Sequence, residues 1–145
     1  MKIKLLLSAL VFHSHNIKLL HWNVEGLHFD IVHKTLDEYY KMLQDYTDEV
    51  AEIGSILGVK PVSLTQAVEI LKNDERQYVI VDPEKSYNSK EAYVAVCDIF
   101  SNLVDLYDNV CQDENISADI INKLQEQQYS IRKEWQYKTA KRLKF

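Results

Sequence analysis

The sequence predicts an all-α fold, a bundle of four long helices with one long crossover carrying a short helix between helices 2 and 3. Three observations predict it. Only 3 Gly and 2 Pro interrupt 145 residues, so helices can run far before a breaker stops them. Apolar residues return at helical spacing over four long stretches. Two short links and one long one join those stretches, giving two antiparallel hairpins connected by a crossover. The length suits a single domain with a sizeable core, and no internal repeat or low-complexity tract divides it, so residues 1–145 are expected to form one unit.

The first stretch places Ile3, Leu6, Leu7, Leu10, Ile17, Leu20 and Val24 on one stripe and is expected to end near Gly26. Its start, Met1-Lys2-Ile3-Lys4 before an apolar run, has the outline of a secretory leader. The run covers only residues 5–12, and His13-Ser14-His15 follows where a small-residue cleavage site would stand, so the segment is expected to open a helix instead. The second helix starts around Asp30 and carries Leu36, Tyr39, Tyr40, Leu43, Tyr46, Val50, Ile53 and Leu57. Gly58 caps it and Pro61 blocks its continuation. The crossover, residues 58–87, holds Pro61, Pro83 and a short helix over residues 64–72.

Asn88 and Glu91 have capping-box spacing and open the next long helix, whose stripe is Tyr93, Val96, Cys97, Phe100, Leu103, Val104, Tyr107, Val110 and Cys111. The last helix begins at the N-cap Ser117 and runs towards Leu143.

Composition narrows the function classes. With 46% hydrophobic and 27% charged residues and a net charge of -5, the chain gives no electrostatic reason to take nucleic acid as its main partner, and its acidic surface favours cations. No run reaches the roughly 18 apolar residues of a membrane span, and the protein is expected to be cytoplasmic. The 2 cysteines are too few for a disulfide scaffold. Cys97 and Cys111 lie too far apart on one helix to bridge and are expected to be buried free thiols.

Five candidate metal ligands fall in the first half: His21, His33, Asp37, Asp48 and Glu52. His33 and Asp37 are one helical turn apart, as are Asp48 and Glu52, so each pair shares a face. About three turns separate the pairs, or roughly 16 Å along the axis. Bonds from N and O to metal are only about 2 Å, so one straight helix cannot wrap both pairs around one ion. Two antiparallel copies of the second helix across a two-fold axis can, each bringing His33 and Asp37 to the other's Asp48 and Glu52. The ligand stripe lies roughly 160° from the apolar stripe and points away from the chain's own core. His21 would complete a mixed N/O shell that suits iron and also accepts zinc or manganese. Against this stands the plain reading: carboxylates opposite an apolar stripe form a solvated face, and His21 beside Leu20 and Val24 is a satisfied core histidine.

His21-Trp22-Asn23-Val24-Glu25-Gly26, followed by Phe29, His33, Asp37, Tyr40, Asp48 and Ala51-Glu52, resembles the signature of the Dps family of mini-ferritins, whose bundle has the same ferritin-like connectivity. Gly58-Val59-Lys60-Pro61 is similar to that family's Gly-x-x-Pro, and Ala118-Asp119-Ile120-Ile121 with Trp135 loosely resembles its last helix. The resemblance implies a hollow shell of twelve subunits with ferroxidase centres at two-fold interfaces. It implies iron(II) as substrate, hydrogen peroxide as oxidant and a ferric core inside. Carried over by position, His21, His33 and Asp37 come from one subunit and Asp48 and Glu52 from its partner. Trp22 matches a tryptophan close to the site that intercepts radicals; its structural alternative is an aromatic anchor for the end of the first helix. Asp105, Asp108, Asp113, Glu114 and Asp119 are candidates for pores or mineral nucleation.

The chain departs from the family in three respects. Only about 20 residues precede His21, without the long basic arm that lets some members bind DNA. Lys138, Lys141, Arg142 and Lys144 form a small C-terminal basic cluster that reads as a complement to the helix dipole more readily than as a DNA contact. Ile53 stands after Ala51-Glu52 where the family often has Arg. Glu25-Gly26-Leu27-His28 spells the Glu-x-x-His of di-iron bundles, but Gly26 breaks the helix there and no second copy follows on the fourth helix. His13 and His15 point to different sides of a helix and make a poor chelate. Two other functions compete with the ferroxidase: a non-redox interaction bundle with a vestigial metal site, and a DNA-compacting protein.

Overall fold

The computed structural model describes residues 2–143. Its helices are α1 (Lys2–Asn23), α2 (Phe29–Ile56), α3 (Leu64–Lys72), α4 (Ser89–Cys111) and α5 (Ala118–Arg132), continued by a π-helical stretch (Lys133–Thr139) and a last turn, α6 (Ala140–Arg142). Among the described residues there is no strand beyond one isolated bridge, Val24 to Tyr87. α1, α2, α4 and the α5–π–α6 rod form the four-helix bundle, with α3 on the crossover.

Each boundary has a local cause. α1 stops at Asn23, a turn earlier than Gly26 suggested, because Glu25 N–H donates to the Tyr87 carbonyl (2.9 Å) and Tyr87 N–H to that of Asn23 (3.0 Å). Gly26 (φ 96) and His28 (φ 66) then reverse the chain through left-handed conformations, the first free for glycine and the second a region that histidine enters more readily than most residues. Gly58 (φ 79) ends α2, and Val59 N–H donates back to the Gly54 carbonyl (2.7 Å). Asn88 and Glu91 form the expected capping box. Ser63 and Gln66 form a second one on α3.

The core runs the length of the bundle. All seven residues of the first stripe, six on α1 and Val24 just beyond it, are buried, and Leu36, Leu43, Ile99, Phe100, Leu103, Leu106 and Tyr107 close the core from α2 and α4. Burying one such side chain contributes about 1.5–3 kcal/mol before conformational entropy is counted. The crossover is strapped to α1 by Asn16, which donates to the Val79 carbonyl (2.9 Å) and accepts from Val81 N–H (3.3 Å).

Two sequence expectations need correction. The fourth helix spans its expected range but is not α-helical throughout. Over Lys133–Thr139 the ladder shifts so that Ala140 N–H reaches the Trp135 carbonyl, while buried Thr139 bonds Tyr39 Oη on α2 (2.8 Å). Cys97 and Cys111 are free but only half-buried, because each lies at the edge of the stripe; partial burial still raises both thiol pKa values.

Candidate metal centre

The tight α1–α2 turn lays the end of α1 beside the start of α2 and so brings His21 against His33. Their rings stack at 3.7 Å between centroids and 18° between planes, and the Phe29 ring stacks on His33 at 4.9 Å. His21 Nδ1 lies 2.8 Å from the His33 carbonyl, and His33 Nδ1 lies 2.9 Å from the His21 carbonyl. A carbonyl only accepts, so both Nδ1 atoms carry the hydrogen and both Nε2 atoms present a lone pair. Burial lowers the pKa of His21, which favours its neutral form. A backbone carbonyl orienting the far ring nitrogen is the usual outer support of a metal-binding imidazole.

Asp37 follows one turn after His33. Its carboxylate is held by two ammonium groups, with Lys41 Nζ 2.9 Å from Oδ2 and Lys18 Nζ 3.6 Å from Oδ1. The Lys41 hydrogen bond, more than any other influence, holds the Asp37 carboxyl below its usual range. Lys18 is itself fixed between rings, 4.5 Å from the centroid of Tyr40 and 5.8 Å from that of Trp22.

Asp48 and Glu52 are exposed further along α2. Asp48 lines a groove of about 470 Å³ with Tyr40, Gln44, Thr47, Ser14 and His15. The fold therefore brings His21 and His33 into contact, sets Asp37 next to them, and leaves Asp48 and Glu52 facing outward at a distance. Among the described residues no three His, Cys, Asp or Glu side chains of the single chain converge on one point. The donor types fit a hard or borderline divalent cation: two oriented imidazoles and a carboxylate at one end of the face, two free carboxylates at the other.

The other sequence candidates separate clearly. Trp22 is 60% exposed beside His21, so it does not anchor α1 in the chain's own core. Glu25 and His28 lie in the turn and outside the bundle. His13 is fully buried on α1 and bonds Asn102 through Nε2 (2.8 Å), whereas His15 is exposed. Asp105 pairs with Arg76 (2.8 Å), Asp108 accepts from Gln128 (2.6 Å) and Asp113 caps Asn115 N–H (3.0 Å), while Glu114 and Asp119 are exposed in or just beyond the turn before α5. In the C-terminal basic cluster Lys138 pairs with Glu134 (2.9 Å), Lys141 lies over Tyr137 (4.2 Å) and Arg142 over Tyr93 (5.4 Å), and Lys144 falls outside the described residues. Lys18, Lys41 and the stacking role of Phe29 were not apparent in the sequence. Lys41 could have been found from its one-turn spacing to Asp37.

A long-crossover bundle with a histidine–carboxylate face on its second helix defines a ferritin-type protein. The family model for the ferritin-like domain matches residues 2–134. The chain is 31% identical over 84 residues to a DNA protection during starvation protein of Helicobacter pylori, a match covering 57% of this chain and 54% of that relative. It thus spans about half the length of that curated relative. The crystal structure of Dps from Staphylococcus aureus superposes with a TM-score of 0.83 at 21% identity, covering 99% of this chain and 93% of the other. A Vibrio cholerae DPS protein, described as a member of a broad superfamily of ferritin-like diiron-carboxylate proteins, superposes with a TM-score of 0.69 at 24% identity, covering 90% and 84%. The chain belongs to the ferritin-like family, and the relatives and solved structures it is similar to include Dps proteins.

Proposed function

We propose that this protein oxidises iron(II) with hydrogen peroxide at centres assembled between two copies of the chain, and keeps the ferric product inside a shell of twelve. His21, His33 and Asp37 of one subunit and Asp48 and Glu52 of its partner hold the iron. The observation that carries this reading is the mutual clamp of His21 and His33, which frees both Nε2 atoms on a face whose remaining ligands stand too far along α2 to serve the same ion in one chain. Zinc and manganese fit the same donors as substitutes.

The chemistry follows from the donors. The imidazoles bind as neutral ligands, and the three carboxylates supply negative charge that stabilises iron(III) over iron(II). Two iron(II) ions each give one electron to one peroxide, whose O–O bond breaks and whose oxygens leave as water after taking up protons. No hydroxyl radical is released in that balance. Trp22, exposed next to His21, is positioned to give an electron to any oxidant that escapes. Asp105, Asp108, Asp113, Glu114 and Asp119 are the candidates for pores or nucleation of the ferric product; of these Asp105, Asp108, Glu114 and Asp119 are exposed. The intramolecular partners of Lys138, Lys141 and Arg142 favour the helix-end reading of the basic cluster over DNA attachment.

The test is anaerobic loading with iron(II) followed by a peroxide titration, reading ferric absorbance and the iron kept after desalting. An endpoint near two iron(II) per peroxide with iron retained supports the proposal. Oxidation matching a protein-free control, with no iron held, overturns it in favour of an interaction bundle.

A further inference from the structure

We propose that Lys41 is a displaceable stand-in cation on Asp37, which competes with a metal ion for that carboxylate and so lowers the metal affinity of the centre. The inference rests on the inter-subunit centre argued above and concerns how that centre is regulated.

Both oxygens of Asp37 face an ammonium group, Oδ2 hydrogen-bonded to Lys41 at 2.9 Å and Oδ1 paired with Lys18 at 3.6 Å. A metal ion draws on the same oxygens and the same negative charge, so it competes with the two lysines for the carboxylate. The two are not equivalent. Lys18 is held by the Tyr40 and Trp22 rings, and its side chain is 24% exposed. Lys41 is 69% exposed, and among the described residues its one ion-pair partner is the Asp37 carboxylate one turn away on the same helix. In the single chain it can move off Asp37 at little cost, since exposed pairs at this spacing are weak. Lys18 therefore stays as a fixed charge, and Lys41 is the group that yields. While the site is empty Lys41 offsets the charge of a carboxylate poised for a cation. Once a divalent ion arrives, Lys41 is both a competitor for Asp37 and a like charge a few ångströms away.

The experiment is a cobalt(II) titration of the assembled full-length protein by calorimetry under nitrogen, which reads binding without any oxidation step. The variants are Lys41→Gln, Lys41→Glu and Asp48→Ala, each checked for oligomer size and helix content. Lys41→Gln is expected to tighten cobalt(II) binding about three- to tenfold through loss of the competitor and of the like charge. Lys41→Glu should tighten it further, and Asp48→Ala should weaken it. Unchanged or weaker binding in both Lys41 variants, with Asp48→Ala still weakened, overturns the role of Lys41 and leaves the centre standing. If Asp48→Ala binds cobalt(II) like the unmodified protein, or if the unmodified protein binds none, the inter-subunit centre falls and the Lys41 inference falls with it.

Discussion

His21 and His33 each hold the other by its backbone, with Nδ1 of one on the carbonyl of the other at 2.8 and 2.9 Å. One arrangement thus fixes two ligand rings and ties the end of α1 to the start of α2. His33→Ala should remove a proposed ligand nitrogen together with the His33 Nδ1 bond to the His21 carbonyl, while His21 Nδ1 keeps its own bond to the backbone carbonyl of residue 33. Cobalt(II) affinity is expected to fall by about tenfold or more, since losing an orienting partner alone commonly costs that much. Thermal stability should also drop, by about 1 kcal/mol for the lost hydrogen bond. A binding isotherm and a melt on the same variant check both. A loss of stability without a loss of affinity would mean that the clamp is only structural.

His13 gives a pH dependence that does not involve the metal centre. Burial lowers its pKa from 6.5 to about 4 in the fold, with Asn102 opposing only in part. The unfolded chain takes up a proton between those values and the folded chain does not. The stability from keeping His13 neutral is therefore fully present above pH 6.5 and is lost as pH falls to about 4. The loss is on the order of 3 kcal/mol over that window. Urea melts at about pH 7 and about pH 5 should show the decline in the unmodified protein and a smaller one in His13→Gln, which keeps a donor for Asn102. Equal slopes would show that His13 does not titrate in this way.

A buried polar chain joins α2, α4 and α5. Tyr107 Oη donates to Gln127 Oε1 and Gln127 Nε2 to Glu49 Oε2, each at 2.6 Å, with Tyr107 fully buried and Gln127 nearly so. Gln127→Leu strands the Tyr107 hydroxyl in the core and should cost about 1–3 kcal/mol. Adding Tyr107→Phe removes the stranded group, so the double variant should be more stable than Gln127→Leu alone. Denaturant midpoints of the three proteins decide it, and a double variant less stable than the single one would contradict the account.

Helices and ligands were legible in the sequence to different depths. The α1 stripe, the Asn88–Glu91 box, the Ser117 cap and the short helix of the crossover all depend on residue types at fixed spacing, and each stands where that spacing puts it. The π-helical stretch has no such mark. No Gly or Pro precedes it, and the structural partner that accompanies the shift, Tyr39 on Thr139, lies a hundred residues away. At the site, the one-turn pairs His33/Asp37 and Asp48/Glu52 were visible as pairs. The mutual clamp of His21 and His33 was not, because it depends on the left-handed turn at Gly26 and His28. Lys18 was hidden for a similar reason, since only the antiparallel approach of α1 and α2 brings it to Asp37.

The proposed division of ligands between two chains makes a quantitative prediction that no single-chain site would meet. Let one variant carry His33→Ala with Asp37→Ala, and a second carry Asp48→Ala with Glu52→Ala. Each alone should bind essentially no cobalt(II) at the centre, because every interface in a pure assembly lacks one half of the ligands. Mixed as subunits and reassembled, half of the two-fold pairs are hybrids. A hybrid has one interface site with both halves lost and one with both halves intact. About a quarter of the sites should therefore return. The titration should show that fraction with the affinity of the unmodified protein, since the restored sites are complete. Binding that stays at zero after verified subunit exchange would place all five ligands in the service of one chain, and the antiparallel pairing of α2 across the two-fold axis would have to be abandoned.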